Sequence, residues 1–344
     1  MKQTAVVVAP GRGTYNRTEL GYFAQHHADK SDLLAQFDAF RVARGQKTLS
    51  ELDQATRFSG PTHTRGDNAS GLIYACAYAD FLSIDRNRFD LLGVTGNSMG
   101  WYIALACAGA LDPMGGLNVV NTMGTLMHQH LIGGQLIYPF VDSDWVPISG
   151  ERDKILGKVA EIDARPDHVL GLSIELGGML VFAGDEAGLT AFEAEMPVVQ
   201  DRFPMRLPNH AGFHTHLQAP VAEEGRAALP KTLFHQPDLS LVDGRGALWQ
   251  PKATDLNALW AYTLGHQVVQ PYDFTSAIRT AAREWMPDVF IILGPGTTLG
   301  GAVAQSLLSC TWRGLDSKSA FTKQQENYPR VIAMGREDQR ALAV

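Results

Sequence analysis

Apolar and polar positions along the chain follow two periods, and they divide it into strands and helices. Ala5-Val6-Val7-Val8 is a continuous apolar run closed by Pro10-Gly11, the pattern of a short strand buried on both faces. A 3.6-residue spacing follows, with Leu33, Leu34, Phe37 and Phe40 on one face of a helix that Ser31 can cap. The pattern predicts a second helix over 71–82, an apolar strand over 88–95 and a sharp turn at Gly96-Asn97-Ser98-Met99-Gly100. A helix of small residues is predicted next, over 101–108. The alternation returns near the end, with a helix over 275–285 and a strand over 288–293 stopped by Gly294-Pro295-Gly296. Strand and helix alternating at both ends predict an α/β core with a mostly parallel sheet.

The middle of the chain has a different order. Strands are predicted over 135–141, 168–174, 179–183 and 203–207. One helix runs from a Ser149 cap through Ile155, Leu156, Val159 and Ile162, and another covers 186–194. The sequence βαββαβ is the ferredoxin-like split pattern. The expected organisation is a discontinuous large α/β core, 1–133 and 208–310, interrupted by a ferredoxin-like α+β subdomain at 134–207. The polar segment 311–344 then reads as a C-terminal extension with a solvated helix. A cleft between two such units is where a site is expected.

Composition narrows the function. Of 344 residues, 45% are hydrophobic and 19% charged, which excludes a disordered chain, and a formal charge of −7 provides no global field to attract nucleic acid or anionic lipid. Apolar runs fall short of the roughly 20 residues that span a bilayer. Three scattered cysteines, Cys76, Cys107 and Cys310, form no CxxC pair, so no disulfide framework is expected and the chain reads as cytoplasmic. The sequence sets no oligomeric state.

Gly96-Asn97-Ser98-Met99-Gly100, between a predicted strand and a predicted helix, has the form of a nucleophile elbow. Flanking glycines allow a turn too tight for larger side chains and hold Ser98 out at the start of the helix. The Met99 amide can then face an oxyanion. A serine needs a base, and the richest histidine stretch is Asn209-His210-Ala211-Gly212-Phe213-His214-Thr215-His216, a loop at the subdomain boundary. Metal ligation by His214 and His216, or by His128 and His130, is the competing reading, but no nearby Cys or carboxylate completes a ligand set. Pro10-Gly11-Arg12-Gly13 lacks the third glycine of a dinucleotide fingerprint, which Asn16 replaces, and no Walker lysine follows. It is better read as a loop offering amides to the same oxyanion.

Taken in order, these segments resemble the malonyl-CoA:acyl-carrier-protein transacylase family, including polyketide-type acyltransferases. Gly96 to Gly100, followed by Trp101-Tyr102-Ile103-Ala104-Leu105 and Ala108-Gly109, is similar to the family's GHSxGEYxAL-x-x-AG segment. Pro10-Gly11-Arg12-Gly13-Thr14 resembles its PGQGS loop, His214 ahead of Pro220 its base, Gln267 to Pro271 its Gln-x-x-x-Pro, and Gly294-Pro295-Gly296 its closing GPG. The resemblance implies a parallel-sheet, α/β-hydrolase-like core and an acyltransferase with ping-pong chemistry. Ser98 would attack an acyl-CoA, His214 would act as base, and the carbonyl of Gln267 would orient His214. The amides of Met99 and Arg12 would form the oxyanion hole, and the thiol of an acyl carrier protein would accept the acyl group. Beyond these two substrates it implies no cofactor and no metal.

Two departures bear on the substrate. Met123 stands where the family has its malonyl-selecting arginine, and an apolar wall in place of a guanidinium favours an uncharged acyl group. Arg12, in place of the family's glutamine, offers a cation from the opposite wall. Asn97, Trp101, Phe213 and Met127 are the other expected pocket residues. Two rival functions are an acyl-thioester or ester hydrolase, including a patatin-like enzyme with Asp243 of Asp243-Gly244 as base, and an inactive module that docks a carrier protein.

Overall fold

The apolar run at the N-terminus becomes β1 (Gln3–Ala9), whose residues Ala5 to Ala9 are fully buried at the centre of a six-stranded sheet. The computed structural model describes residues 2–344. β1 pairs in parallel with β2 (Phe89–Gly96) on one side and with β10 (Val289–Ile292) on the other. The sheet extends beyond β2 through β7 (Ser240–Val242) to the antiparallel β8 (Leu248–Trp249). Beyond β10 it is completed by β11 (Val331–Ala333). Strands covered on both faces need no alternation, which is why they read as unbroken apolar runs.

A second sheet has the order β6-β3-β5-β4-β9. It contains β3 (Gly134–Pro139), β4 (Leu170–Leu176), β5 (Met179–Gly184) and β6 (Met205–Arg206), with helices Glu151–Asp163 and Glu186–Glu195 against it. These elements follow the βαββαβ order and have their own apolar core around Phe182, Phe192 and Ile155. The predicted last strand, 203–207, is reduced to two residues. The fifth strand, β9 (Tyr272–Asp273), comes from the larger unit and pairs in parallel with β4. Tyr272 also donates its hydroxyl to the carbonyl of Gly96 at 2.6 Å, so one residue joins the small sheet to the end of β2.

The segment 311–344 is not an appendage, which corrects the extension expected from its polar sequence. Helix Lys318–Asn327 buries no residue, as its composition suggested, but Val331-Ile332-Ala333 is a buried strand paired with Phe290 to Ile292. Arg340 then reaches the sealed carboxylate of Asp80 at 2.7 Å, which also accepts from the Tyr22 hydroxyl and the Gly294 amide and pairs with His27. The short apolar run Val331 to Met334 was the signal for this strand.

Helix Gly66–Ser83 is buried from Gly66 through Phe81, five residues earlier than the pattern predicted. The reason is its crossing with helix Pro113–His130. A Cβ on Gly66 would lie 2.5 Å from the Gly124 carbonyl, and one on Gly124 would lie 2.5 Å from the Gly66 carbonyl. Two glycines bring the backbones together, and the crossing fixes which face of Pro113–His130 looks toward the end of β2. Among the described residues, no helix is long and apolar enough to cross a membrane.

Candidate active site

At the end of β2 the chain turns through Gly96-Asn97-Ser98-Met99-Gly100 into helix Gly100–Cys107. A Cβ on Gly96 would lie 2.2 Å from the Gly100 carbonyl oxygen, and one on Gly100 would lie 2.4 Å from that of Ala9. Only hydrogens fit there, and the turn is pressed tight enough to put Ser98 in the left-handed region at φ +54°. For a residue with a Cβ that conformation costs about 1–2 kcal/mol, which the surrounding packing sustains.

The Ser98 hydroxyl lies 2.8 Å from Nε2 of His214, and His214 Nδ1 lies 2.6 Å from the main-chain carbonyl of Gln267. A carbonyl only accepts, so Nδ1 carries the proton and Nε2 is left to accept from the serine. His214 is also left-handed, at φ +62°. Its loop is held by the small sheet: Ser173 on β4 donates to the Phe213 carbonyl at 2.9 Å and receives Gln135 Nε2 of β3 at 2.7 Å. The His214 amide itself donates to the Val268 carbonyl at 2.9 Å. Burial of the ring lowers its pKa from 6.5 to about 4 against the opposing pull of the Gln267 carbonyl, so it is neutral in the working range.

The loop at Gly11 to Gly13 packs against this turn, and a Cβ on Gly11 would lie 2.7 Å from the Asn97 carbonyl. The amides of Met99 and Arg12 donate to no acceptor among the described residues. Both residues line the same cavity as Ser98, so their amides are available to an oxyanion formed there. A cavity of about 390 Å³ opens above the serine between the two sheets. Helix Pro113–His130 supplies Val120, Met123 and Met127 to its wall, and Phe213 closes another side.

The comparisons with known proteins agree with this geometry. No family model matches the chain. The malonyl CoA-acyl carrier protein transacylase of Escherichia coli O157:H7 is 23% identical over 233 residues, covering 68% of this chain and 72% of that protein. The crystal structure of malonyl-CoA:acyl carrier protein transacylase from Xanthomonas oryzae pv. oryzae superposes with a TM-score of 0.77 at 19% identity, covering 99% of this chain and 98% of that one. The chain is thus similar, in sequence and in fold, to malonyl-CoA:acyl-carrier-protein transacylases. A further structural relative, with a TM-score of 0.70 at 18% identity, is described as a type II polyketide-synthase acyl-carrier protein in complex with its malonyl-transacylase, and the match covers 89% of this chain and 93% of that one. The fold of the chain is that of these solved structures.

Most residues predicted for the site meet in one place. Ser98, Met99, Arg12, Asn97, Met123, Met127, Phe213 and Gln267 all line the cavity, and His214 lies behind the serine, fully buried. Trp101 does not line it, which corrects the expectation that it shapes the pocket. Its side chain is fully buried on the far side of the helix, with Nε1 donating to Thr263 at 3.0 Å and its ring edge-on to Tyr262. Asp243 is not placed as a base either. Its buried carboxylate accepts from the Arg245 side chain, Trp249 Nε1 at 3.0 Å and the amides of Arg245 and Ala247, so it closes the β7–β8 turn. His130 pairs with Glu224 at 2.9 Å, away from His214.

Three contributors were not read from the sequence. Gln267 entered through its carbonyl alone, yet its side chain receives the Tyr102 hydroxyl at 2.9 Å and donates to the Ser98 carbonyl at 3.1 Å. His210 lines the cavity near Gly13, with burial and the Arg12 charge lowering its pKa to about 4 against the pull of the Pro208 carbonyl. Thr64 accepts the Arg12 guanidinium on its carbonyl and Asn209 on its hydroxyl, fastening the oxyanion loop to the His214 loop. No local motif signals these, because each depends on contacts between distant segments.

Proposed function

We propose that the protein moves an acyl group from CoA to the phosphopantetheine thiol of an acyl carrier protein through an ester on Ser98. The observation that carries this reading is the chain of contacts from the Ser98 hydroxyl to His214 and on to the Gln267 carbonyl, 2.8 and 2.6 Å long. In the first half-reaction the serine oxygen attacks the thioester carbon while Nε2 of His214 takes its proton. The developing oxyanion is received by the amides of Met99 and Arg12. Collapse breaks the carbon–sulfur bond, and His214 returns the proton to the departing CoA thiolate. In the second half-reaction the same imidazole deprotonates the carrier thiol, whose sulfur attacks the ester and releases Ser98. A carbonyl in place of a carboxylate behind the histidine makes this a dyad, and no cofactor enters beyond the two substrates.

The carrier protein as acceptor is supported by the structural relative described as a carrier protein bound to its malonyl-transacylase. Malonyl is the donor named for the curated relative. Met123, only 2% exposed and packed toward Gly225, contributes an apolar surface at the position of the family arginine, so selection of the acyl group falls to other residues of the cavity. The mostly apolar lining disfavours water as the competing acceptor and supports transfer over hydrolysis.

The test is intact-protein mass spectrometry after brief incubation with acyl-CoA, followed by a chase with pantetheine as a minimal thiol. An adduct on the wild type, absent from Ser98→Ala and cleared faster by pantetheine than by buffer, is the expected result. An adduct that buffer clears as fast would make the protein a hydrolase, and no adduct with any donor would refute the reading.

A further inference from the structure

The buried cluster around Asp80 lies at one end of a stack of main chain that reaches the serine turn. Asp80 is fully buried. Its carboxylate receives the Gly294 amide at 2.7 Å, the Tyr22 hydroxyl at 2.8 Å and Arg340 Nη1 at 2.7 Å, and lies 2.9 Å from His27 Nε2. Burial pushes the carboxyl upward, but His27 and Arg340 more than reverse this and keep it ionised. Arg340 Nη1 also donates to the Met334 carbonyl at 3.3 Å, just past the end of β11. One guanidinium therefore holds both the carboxylate beneath Gly294 and the residue before Gly335.

Three glycines carry this hold toward the cavity. A Cβ on Gly294 would lie 2.8 Å from Asp80 Oδ2, one on Gly335 would lie 2.7 Å from the Gly296 carbonyl carbon, and one on Gly296 would lie 3.2 Å from the Thr14 carbonyl carbon. Contacts this close leave no slack, and a close-packed interior transmits a displacement along them. Thr14 then acts on the oxyanion loop directly, because its Oγ1 donates to the Gly11 carbonyl at 3.1 Å. A peptide unit is planar, so the bond that fixes the Gly11 carbonyl also aims the Arg12 N–H on the opposite edge of the same unit. That N–H is one of the two donors available to the oxyanion. Thr14 lines the cavity, and so do Thr298 and Leu299 just beyond Gly296, but Arg340 does not.

A second arginine of the same segment shows what is particular to Arg340. Arg313 also ties 311–344 to the large sheet, through Asp288 at 3.0 Å and the Pro287 carbonyl at 2.9 Å, but at the opposite end of β10. Among the described residues its hydrogen bonds reach no member of the stack. We infer that Arg340 is a positioning residue for the oxyanion hole: by holding Asp80 and the Met334 carbonyl it seats the Gly294–Gly296 loop on Thr14, and so keeps the Arg12 amide aimed at the carbonyl oxygen above Ser98. This rests on the acyl-Ser98 reading proposed above. Acyl transfer then depends on a segment, 331–344, that contributes nothing to the cavity wall.

The experiment measures single-turnover CoA release from malonyl-CoA and acetyl-CoA and from their dithioester counterparts, in which sulfur replaces the carbonyl oxygen. Sulfur accepts hydrogen bonds weakly, so the oxygen-to-sulfur rate ratio for the faster donor reads the oxyanion donors. Because the ratio is taken within one protein, a general loss of activity does not mimic it. The wild type is expected to prefer oxygen by about 100-fold. Arg340→Met should lose about 10-fold of that ratio, Arg340→Lys, which keeps a charge for Asp80 but not the fork, about 3-fold, and Arg313→Met none. Thr14→Val should lower the ratio alone, and Arg340→Lys added to it should lower it no further, since both act on one peptide plane. Urea unfolding verifies that each variant is folded, and if Arg340→Met is not, Arg340→Lys and its pair with Thr14→Val decide. A wild type without oxygen preference, an unchanged ratio in folded Arg340 variants, an equal fall in Arg313→Met, or additive losses with Thr14→Val overturns the inference and leaves the acyl-serine mechanism intact. No acylation of wild-type Ser98 from any of these donors overturns both.

Discussion

Gln267 touches both members of the dyad, which makes its side chain a direct test of how the site is held together. Its main-chain carbonyl sets the His214 tautomer, and its carboxamide bridges the Tyr102 hydroxyl and the Ser98 carbonyl at 2.9 and 3.1 Å. Both Gln267 and Tyr102 are buried, at 2% and 3% exposure. Gln267→Ala leaves the main-chain carbonyl in place but removes the bridge. The Ser98 carbonyl keeps its bond from the Trp101 amide at 2.9 Å, so the principal loss is the Tyr102 hydroxyl, left without an acceptor. An orphaned buried hydroxyl costs about 1–3 kcal/mol, and the space vacated by the side chain adds about 1 kcal/mol. The expected destabilisation is therefore about 2–4 kcal/mol, with Ser98 acylation slowed about 10-fold as the turn loosens. Gln267→Leu combined with Tyr102→Phe removes both polar partners and should cost less than Gln267→Ala alone. Urea unfolding of the single and double variants, with rates of fluorophosphonate labelling, measures both effects. Strictly additive single-site costs, or a Gln267→Ala protein within about 0.5 kcal/mol and twofold of wild type, would refute the bridge.

Two further outcomes follow from the same geometry. Because burial holds His214 near 4 instead of 6.5, the acid limb of kcat/KM for acylation should fall below pH 5, and a limb at 6.5 would contradict the buried base. The stability linkage has the same origin: the unfolded chain takes up a proton near pH 6.5 and the folded one does not until about 4. Stability should therefore fall as pH drops through that window, by up to about 1.4 kcal/mol per unit, and His214→Gln should flatten the slope in pH-dependent unfolding. Gly96→Ala places a methyl 2.2 Å from a main-chain oxygen that no side-chain motion can relieve. It should cost about 1–3 kcal/mol in stability and, by displacing Ser98 about 1 Å, about 100-fold in acylation, while wild-type labelling of that variant would show the turn to be slack.

The parts of this molecule that were legible in the sequence are those whose physics is local. Continuous apolar runs announce strands covered on both faces, and Gly96 to Gly100 announces a turn that only glycines permit. His214 is a different case: it lies 116 residues from Ser98, and no period links them, so its assignment as base needed the family resemblance. Trp101 was placed in the pocket by proximity to Ser98, but three residues along the helix its side chain already points toward Thr263. The strand at Val331 was obscured by the polar helix before it, since the four-residue apolar run Val331 to Met334 is a short signal. Arg12 was visible as a cation in a glycine loop, but its contacts with Met127 and Thr64 are visible only in the fold.

The position of β11 has a consequence for how the large sheet is held together. In chain order β1 is complete by Ala9, yet its neighbour β10 begins at Val289, and the other edge of β10 is covered only by Val331 to Ala333. Asp80 waits longer still, for Arg340. A buried carboxylate without its cation costs several kcal/mol, comparable to the whole margin by which a domain is stable. A chain that stops short of residue 340 leaves Asp80 to His27, Tyr22 and the Gly294 amide, and should be markedly less stable. The large sheet is thus held together by strands far apart in the chain, and removing residues 331–340 should open both the β10 edge and the Asp80 pocket at once.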